Sequence, residues 1–326
     1  MLINLLILFT GLALLLGGGD LLVRGASALA KILGVPPLVI GLTVVAFGTS
    51  APELTINLLA VFKNNTDICF GNIIGSSIAN IGLIIGISAL IRPLAVKGVI
   101  IKREIPMMVL ASLLALVAGM DRFLRGSPDV FDRSDGIILL LIFGVFLFYT
   151  IGDVIRKRRQ DSLIKQVEEH LELKSSKKKF LNIIMFTAGL ALLMLGGKLA
   201  VDSAIKVAAA FNIPTVIIGL TVVAIGTSLP ELVTAGVATF KGHTDIAIGS
   251  VVGSNLFNIL LVKGTCAVVL PIPVPAGGSA DLLMLLFLSL FLLPLCMTNR
   301  GRIVRWEGAL LLLLYLVFSI WRVVTG

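Results

Sequence analysis

Apolar residues fill long runs of this chain, and polar residues are confined mainly to the short stretches between them. Several runs reach about 20 residues, the length that crosses a bilayer core as an α-helix. They lack the alternation of apolar and polar residues over about 10 positions that is typical of a membrane β-barrel strand. Apolar length and helix-breaking residues together predict ten helices, five in each half. The predicted helices are 2–32, 37–62, 68–91, 101–120 and 134–156, then 179–209, 213–241, 246–269, 279–298 and 303–324.

The two halves of the chain repeat each other, because a shift of 178 residues places the first on the second without a gap. PPLVIGLTVVAFGTSAPEL at 36–54 falls on PTVIIGLTVVAIGTSLPEL at 214–232, and FKNNTDICFGNIIGSSIANI at 62–81 falls on FKGHTDIAIGSVVGSNLFNI at 240–259. An odd number of spans in each repeat forces the halves into opposite orientations. The predicted fold class is therefore an all-α polytopic membrane protein with ten transmembrane helices as two inverted five-helix repeats.

One long polar stretch separates the repeats and sets the predicted organisation. We expect a first inverted repeat at 1–156, a cytoplasmic linker at 157–178 and a second inverted repeat at 179–326. With the linker inside, 19 of the 27 Lys and Arg residues lie in cytoplasmic segments and seven lie outside. This bias predicts a multi-pass protein of the cell membrane with both termini extracytoplasmic.

Composition agrees with a membrane protein, since 57% of the residues are hydrophobic and only 14% are charged, against about 25% charged in a typical soluble domain. The net charge of +9 could suggest a nucleic-acid partner. Basic loops of a membrane protein record orientation instead, so we expect the lipid bilayer as partner and no nucleic acid. The sequence gives no indication of protein partners.

Two carboxylates stand out in this apolar background, within the related motifs GTSAPE at 48–53 and GTSLPE at 226–231. Glu53 and Glu231 each lie deep inside a predicted span, where an ionised side chain costs several kcal/mol and is retained for a partner or a water-filled cavity. Neither motif contains Arg or Lys. Two converging carboxylates without a protein cation predict a cation bound from outside the chain.

The neighbouring residues supply neutral oxygen atoms. Pro52 lacks an N–H and clashes with the preceding turn, so a helix break that frees carbonyls is expected there and in GTSLPE. Helical spacing puts Thr49 and Ser50 on the face of Glu53. Further pairs at i and i+4 follow in the next span of each half: Ser76 with Asn80, and Ser254 with Asn258. An all-oxygen set suits a hard cation such as Ca²⁺ or Na⁺.

These motifs resemble the paired α-repeats of the sodium/calcium exchanger family, of the prokaryotic type, within the calcium/cation antiporter superfamily. The resemblance covers the whole chain. It implies that Glu53 and Glu231 ligate the ions and that the first and sixth helices slide against the remaining helices. It also implies a fuller ligand set of side chains and two backbone oxygens: Thr49, Ser50, Ser76, Asn80, Thr227, Ser228, Ser254 and Asn258, with the carbonyls of Ala46 and Ala224.

Two positions depart from the family pattern. Asn258 stands where some archaeal and potassium-dependent relatives carry Asp, which leaves two negative charges in the core, as in potassium-independent members. Lys263 replaces the apolar type of its repeat counterpart, Ile85. We expect its side chain to snorkel toward the outer interface.

The sequence therefore predicts a secondary antiporter that exchanges Na⁺ for Ca²⁺ at one mid-membrane site by alternating access. We expect no enzymatic activity and no cofactor, the small inorganic cations being transported ions. A Ca²⁺/H⁺ antiporter stays open as an alternative, because a buried carboxylate can exchange a proton. A cation channel is disfavoured since the chain already supplies a two-fold site, and an intramembrane lipid phosphatase is disfavoured since neither motif carries Arg or His.

Overall fold

The computed structural model describes residues 2–165, 175–210 and 224–325, and these are almost entirely helical. The helices are α1 (Leu2–Leu33), α2 (Pro37–Phe62), α3 (Thr66–Ile91), α4 (Ile105–Ala118), α5 (Asp121–Arg125), α6 (Arg133–Lys165), α7 (Ser175–Ala210), α8 (Ala224–Thr227), α9 (Leu229–Phe240), α10 (Thr244–Val269), α11 (Gly278–Met297) and α12 (Arg305–Thr325). The strands are β1 (Leu94–Ala95), β2 (Val130–Phe131), β3 (Ile272–Pro273) and β4 (Arg302–Ile303).

Eight helices of the described ranges are long and apolar enough to cross a membrane: α1, α2, α3, α6, α7, α10, α11 and α12. Of the two other predicted spans, 101–120 corresponds to α4 and the π-helical turn Ile100–Glu104 that precedes it. That turn carries three charged residues, so the apolar part of this predicted span is only the 14 residues of α4. The span predicted at 213–241 falls partly outside the described residues, and its described part is α8 and α9.

The predicted linker is partly helical, because α6 continues to Lys165 and α7 begins at Ser175. The remainder of the linker lies outside the described residues. The division into two repeats and a linker is proposed on the sequence repeat.

Helices α3 and α10 form the centre of the protein. Most of the apolar stretch of each is buried, 78% for α3 and 89% for α10, whereas only 11% of α12 is buried. Both central helices contain a π-helical segment, Asn80–Ile85 in α3 and Phe257–Val262 in α10. Such segments shift the helical register and are frequent at functional sites. They occur where the sequence places the candidate amides Asn80 and Asn258.

Helices α1 and α7 pack against each other at backbone distance. An added Cβ at Gly11 would lie 2.7 Å from the backbone nitrogen of Ala200, and one at Gly25 would lie 2.7 Å from that of Phe186. Contacts therefore run in opposite directions along the two helices. Glycine permits this close approach because it has no side chain. The two longest apolar helices thus form one tightly packed antiparallel pair.

The short strands reveal the relation between the halves. Strand β1, which follows α3, pairs antiparallel with β4, which precedes α12. Strand β3, which follows α10, pairs in the same way with β2, which precedes α6. The shift of 178 residues converts α3 into α10 and β1 into β3. In each repeat, therefore, the strand after the central helix pairs with a strand of the other repeat. This exchange is expected of two repeats related by a two-fold axis.

Candidate cation-binding site

Five helices carry the predicted ligands and pack against one another: α2, α3, α8, α9 and α10. Helix α2 contacts α3 and α10, and α9 contacts the same two helices from the other half. Within this group of helices, Glu53 lies within electrostatic range of Glu231, so the motifs of both repeats lie close together.

The backbone around the two prolines differs between the halves. In the second half, α8 ends at Thr227, Ser228 adopts a turn conformation (φ −90°, ψ 5°), and α9 begins with Pro230 in its first turn. The predicted break is therefore present there. In the first half the prediction is wrong, because α-helix continues from Ala46 through Pro52 to Phe62. Proline removes one backbone hydrogen bond, and the packed turns on either side keep the helix intact.

The two carboxylates are almost fully buried, with 1% of Glu53 and 2% of Glu231 exposed. None of their four oxygen atoms has a hydrogen-bond partner among the described residues. The carboxylates lie within electrostatic range of each other, so their negative charges repel in a medium that screens them weakly. The Thr49 hydroxyl approaches Glu231 but donates to the carbonyls of Val45 and Ala46 instead.

Hydrogen bonds between the halves orient the two candidate amides. Asn80 Nδ2 donates to Asn255 Oδ1 at 2.9 Å, and Asn258 Nδ2 donates to the Ser76 hydroxyl at 3.1 Å. In both residues Oδ1 has no partner among the described residues. In each amide, therefore, Nδ2 donates to another residue of the protein, and Oδ1 can accept a bond from a ligand or coordinate an ion.

Hydroxyl groups complete the set of neutral oxygens. Thr49 Oγ1 and Ser254 Oγ lie 3.4 Å apart across the two halves, which brings the first motif against α10. Ser50 and Ser228 are buried, and their hydroxyls have no partner in the described part of the chain. Thr227 is partly buried and donates to Asn72 Oδ1 at 3.1 Å.

The two predicted backbone ligands differ in their position along the helices, since Ala46 lies inside α2, directly after the π-helical segment Gly41–Val45. Ala46 is fully buried, and its carbonyl oxygen accepts a long hydrogen bond of 3.3 Å from the Thr49 hydroxyl. Ala224 is the first residue of α8. The roles of both carbonyls remain predictions.

Sequence reasoning missed two residues that contact the candidate ligands, Asn72 and Asn255. Both are amides inside apolar helices, Asn255 buried and Asn72 partly buried, and each hydrogen-bonds to a proposed ligand of the opposite repeat. Their polarity at membrane depth was the available signal. The internal repeat does not single out these two asparagines, because the repeat-related residue is a serine in both cases: Ser250 for Asn72 and Ser77 for Asn255.

The expectation for Lys263 is wrong. Its side chain does not reach an interface, since only 1% of the residue is exposed. The ammonium nitrogen lies 3.2 Å from the ring centroid of Phe131 and 5.5 Å from that of Phe70. Phe131 is the last residue of β2, which pairs with the strand β3 that follows α10, so the lysine side chain ends against this ring and not in water. Aromatic faces attract cations and partly offset the loss of water.

The site consists of acceptors: four carboxylate oxygens, two amide oxygens and several hydroxyls. Neither glutamate forms an ion pair with a basic side chain among the described residues. A buried carboxylate pair of this kind is stable when a cation or a proton neutralises it. Oxygen-only coordination by carboxylates and neutral groups is what Ca²⁺ and other hard cations prefer.

Comparison with known protein families gives one match that covers most of the chain. The family described as sodium/calcium exchanger protein matches residues 3–152 and residues 181–324. These two segments coincide closely with the two halves of the internal repeat.

Similar proteins cover nearly the full length. A putative antiporter, CaxA, of Alkalimonas amylolytica is 36% identical over 98% of this chain and 100% of its own. Sodium/calcium exchanger MaX1 of Methanosarcina acetivorans is 32% identical over 98% of each chain. Among solved structures, the sodium-calcium exchanger NCX_Mj superposes with a TM-score of 0.82 and 31% identity over 97% of both chains. The similarity confirms the fold class expected from the sequence, an all-α membrane protein with two inverted five-helix repeats.

Proposed function

The chain belongs to the sodium/calcium exchanger protein family, and we propose that it exchanges Na⁺ for Ca²⁺ across a membrane at the site between Glu53 and Glu231. Inward movement of Na⁺ would drive Ca²⁺ outward. The observation that supports this most directly is the pair of buried carboxylates whose four oxygens have no partner among the described residues.

Charge selects the transported species. Two carboxylates neutralise one Ca²⁺, or their oxygens are shared among Na⁺ ions. Because both ions use the same acceptors, Ca²⁺ excludes the full set of Na⁺ ions from the site. That exclusion couples the two fluxes. The neutral ligands are proposed to be Thr49, Ser50, Ser76, Asn80, Thr227, Ser228, Ser254 and Asn258, with the carbonyls of Ala46 and Ala224.

Alternating access requires part of the protein to move past the site. Helices α1 and α7 are the candidates, because they pack on each other through glycine backbones while the ligands lie on α2, α3, α8, α9 and α10. Movement of α1 and α7 as a pair would open one side while closing the other, and it would leave the ligand helices in place.

The protein is proposed to lie in the cell membrane with the linker in the cytoplasm and both termini outside. The distribution of Lys and Arg supports this orientation. In it, the loop between α9 and α10 faces the cytoplasm, and β2, β3 and Lys263 lie toward the outer surface.

Flux measurement in proteoliposomes tests the function. Purified protein is reconstituted, and uptake of radioactive Ca²⁺ is followed under an imposed outward gradient of Na⁺, of K⁺ or of H⁺. We expect only the Na⁺ gradient to drive uptake. Uptake driven by a pH gradient alone would replace this proposal with the Ca²⁺/H⁺ exchange that two neighbouring carboxylates can also perform.

A further inference from the structure

Asn80 can serve a cation through only one of its two amide atoms. The oxygen Oδ1 is an acceptor with two lone pairs, whereas Nδ2 carries hydrogens and repels a cation. Because the amide is planar, rotation by half a turn exchanges the two atoms. A ligand role for Asn80 therefore requires a group that fixes which atom faces the ion.

That group is Asn255 in the opposite repeat. Asn80 Nδ2 donates to Asn255 Oδ1 at 2.9 Å, so the Asn80 nitrogen is committed to the protein. Asn255 is fully buried and is itself held by two acceptors. Its Nδ2 donates to the Ser77 carbonyl oxygen at 3.2 Å and approaches Met108 Sδ at 3.5 Å.

The result is a chain of oriented dipoles. The Ser77 carbonyl oxygen can only accept a hydrogen bond. It therefore fixes the Asn255 amide with its nitrogen toward that carbonyl and its oxygen toward the Asn80 amide. Asn255 in turn fixes the Asn80 amide with its nitrogen toward Asn255 Oδ1. This orientation leaves Asn80 Oδ1 without a partner among the described residues. Reversal of Asn80 would bring two acceptors together and leave a buried N–H unpaired, at a cost of about 1–3 kcal/mol.

This arrangement is not repeated in the other half. The counterpart of Asn255 is Ser77, whose hydroxyl donates to Ile73 of its own helix at 2.8 Å. Asn258 is instead oriented by Ser76, which is itself a proposed ligand. One amide is thus held by a dedicated residue, and the other is held by a neighbour within the site.

We propose that Asn255 is a positioning residue for cation binding, which acts by holding the Asn80 amide with its oxygen available to the ion. Asn255 does not touch the ion itself. The inference rests on the proposed function of the site, and it adds a residue outside the proposed ligand set on which ion affinity depends.

The first test compares Asn255→Ala with Asn255→Gln and Ser77→Ala in Ca²⁺ flux. Alanine removes the acceptor for Asn80 and should raise the KM for Ca²⁺ about tenfold with little change in kcat. Glutamine retains both an acceptor and a donor and adds no charge, so it should recover at least part of the affinity. Ser77→Ala is the matched control, because it removes the buried hydroxyl at the repeat-related position while leaving the Ser77 carbonyl in place, and it should retain wild-type KM.

A double-mutant cycle distinguishes positioning from general damage to the fold. If Asn255 acts through Asn80, then Asn255→Ala should add nothing to the KM of Asn80→Ala. Additive effects, or a KM within twofold of wild type in folded Asn255→Ala, would overturn the proposal. If Asn255→Ala does not fold, the same comparison is made with Asn255→Gln, whose KM must then lie between those of wild type and Asn80→Ala.

Equilibrium titration separates this inference from the proposed function. Binding of Ca²⁺ alone to purified protein in detergent is measured for wild type, Asn80→Ala and Asn255→Ala. Wild-type binding without Na⁺-driven flux would defeat the exchange function but not the positioning role, for which equal weakening in the two variants is expected. Unweakened binding in both variants defeats the positioning role even if exchange is observed.

Discussion

The amide nitrogen of Asn258 donates a hydrogen bond to the Ser76 hydroxyl at 3.1 Å, across the two halves of the chain. Both residues are buried, and the contact directs Asn258 Oδ1 away from Ser76. The proposed site therefore holds two carboxylates and a neutral oxygen at position 258. The charge at this position should set how strongly the site holds a divalent ion.

Substitution of Asn258→Asp should strengthen Ca²⁺ binding and slow exchange. A third negative charge about 4 Å from a divalent ion contributes about 8 kcal/mol at an effective dielectric constant near 20, and much of this energy is lost to desolvation of the carboxylate. At mildly alkaline pH we expect the KM for Ca²⁺ to fall at least severalfold and kcat to fall because release is slower. Asn258→Ser, which stays neutral, should raise KM. An unchanged or higher KM in Asn258→Asp would contradict a ligand role for this position.

The adjacent glycines Gly17 and Gly18 should respond oppositely to alanine. A Cβ at Gly18 would lie 2.8 Å from the Leu193 backbone nitrogen, whereas one at Gly17 meets nothing within 4 Å. Gly18→Ala should destabilise the protein by about 1–3 kcal/mol through overpacking between α1 and α7. Gly17→Ala should be neutral or stabilising by up to about 1 kcal/mol. Thermal unfolding in detergent measures both, and equal Tm values for the two variants would contradict the close α1–α7 contact.

The ion pair between Asp20 and Lys241 should influence the conformational equilibrium. It joins α1 to the loop between α9 and α10. The repeat places Lys198 and Lys63 at the equivalent positions, so the other side of the protein cannot form the same pair. If α1 moves during exchange, the pair must break in each cycle.

Lys241→Ala should therefore shift the KM for Ca²⁺ by about 1.5- to fivefold, in line with the roughly 0.2–1 kcal/mol of a partly exposed pair. Its flux should also depend less on ionic strength than that of wild type. Arg24→Ala, which removes only the bond between Arg24 and Asp20 within α1, serves as control. Identical salt dependence of wild type and Lys241→Ala would show that this contact does not change during transport.

Lys263→Met should retain exchange. The ammonium lies against the Phe131 ring and has no hydrogen-bond partner among the described residues, so methionine fills a similar volume without burying a charge. We expect flux within about twofold of wild type and an equal or higher Tm, since replacing a buried charge by an apolar side chain is often neutral or stabilising. A tenfold loss of flux in the folded variant would place Lys263 in the transport mechanism.

Much of this structure could be predicted because two signals can be seen in the sequence alone: the internal repeat, and charged residues inside apolar runs, where burying a charge is costly. The 178-residue shift paired Glu53 with Glu231, and the apolar runs located the helices. Tertiary packing decided the remainder. Helix α2 continues through Pro52 because its neighbouring turns are packed. Lys263 is buried because β2 covers it, and Asn255 contacts Asn80 only because α3 and α10 cross at that level.

The proposed transport depends most on the two carboxylates, and isosteric substitution tests them directly. Na⁺-driven uptake of radioactive Ca²⁺ is measured in proteoliposomes for wild type, Glu53→Gln and Glu231→Gln. The control is Glu104→Gln, which neutralises a buried glutamate paired with Arg103 next to α4. We predict that each site variant is folded and loses Na⁺-driven Ca²⁺ exchange, while Glu104→Gln retains it. Wild-type exchange in either Glu53→Gln or Glu231→Gln would contradict the proposed site.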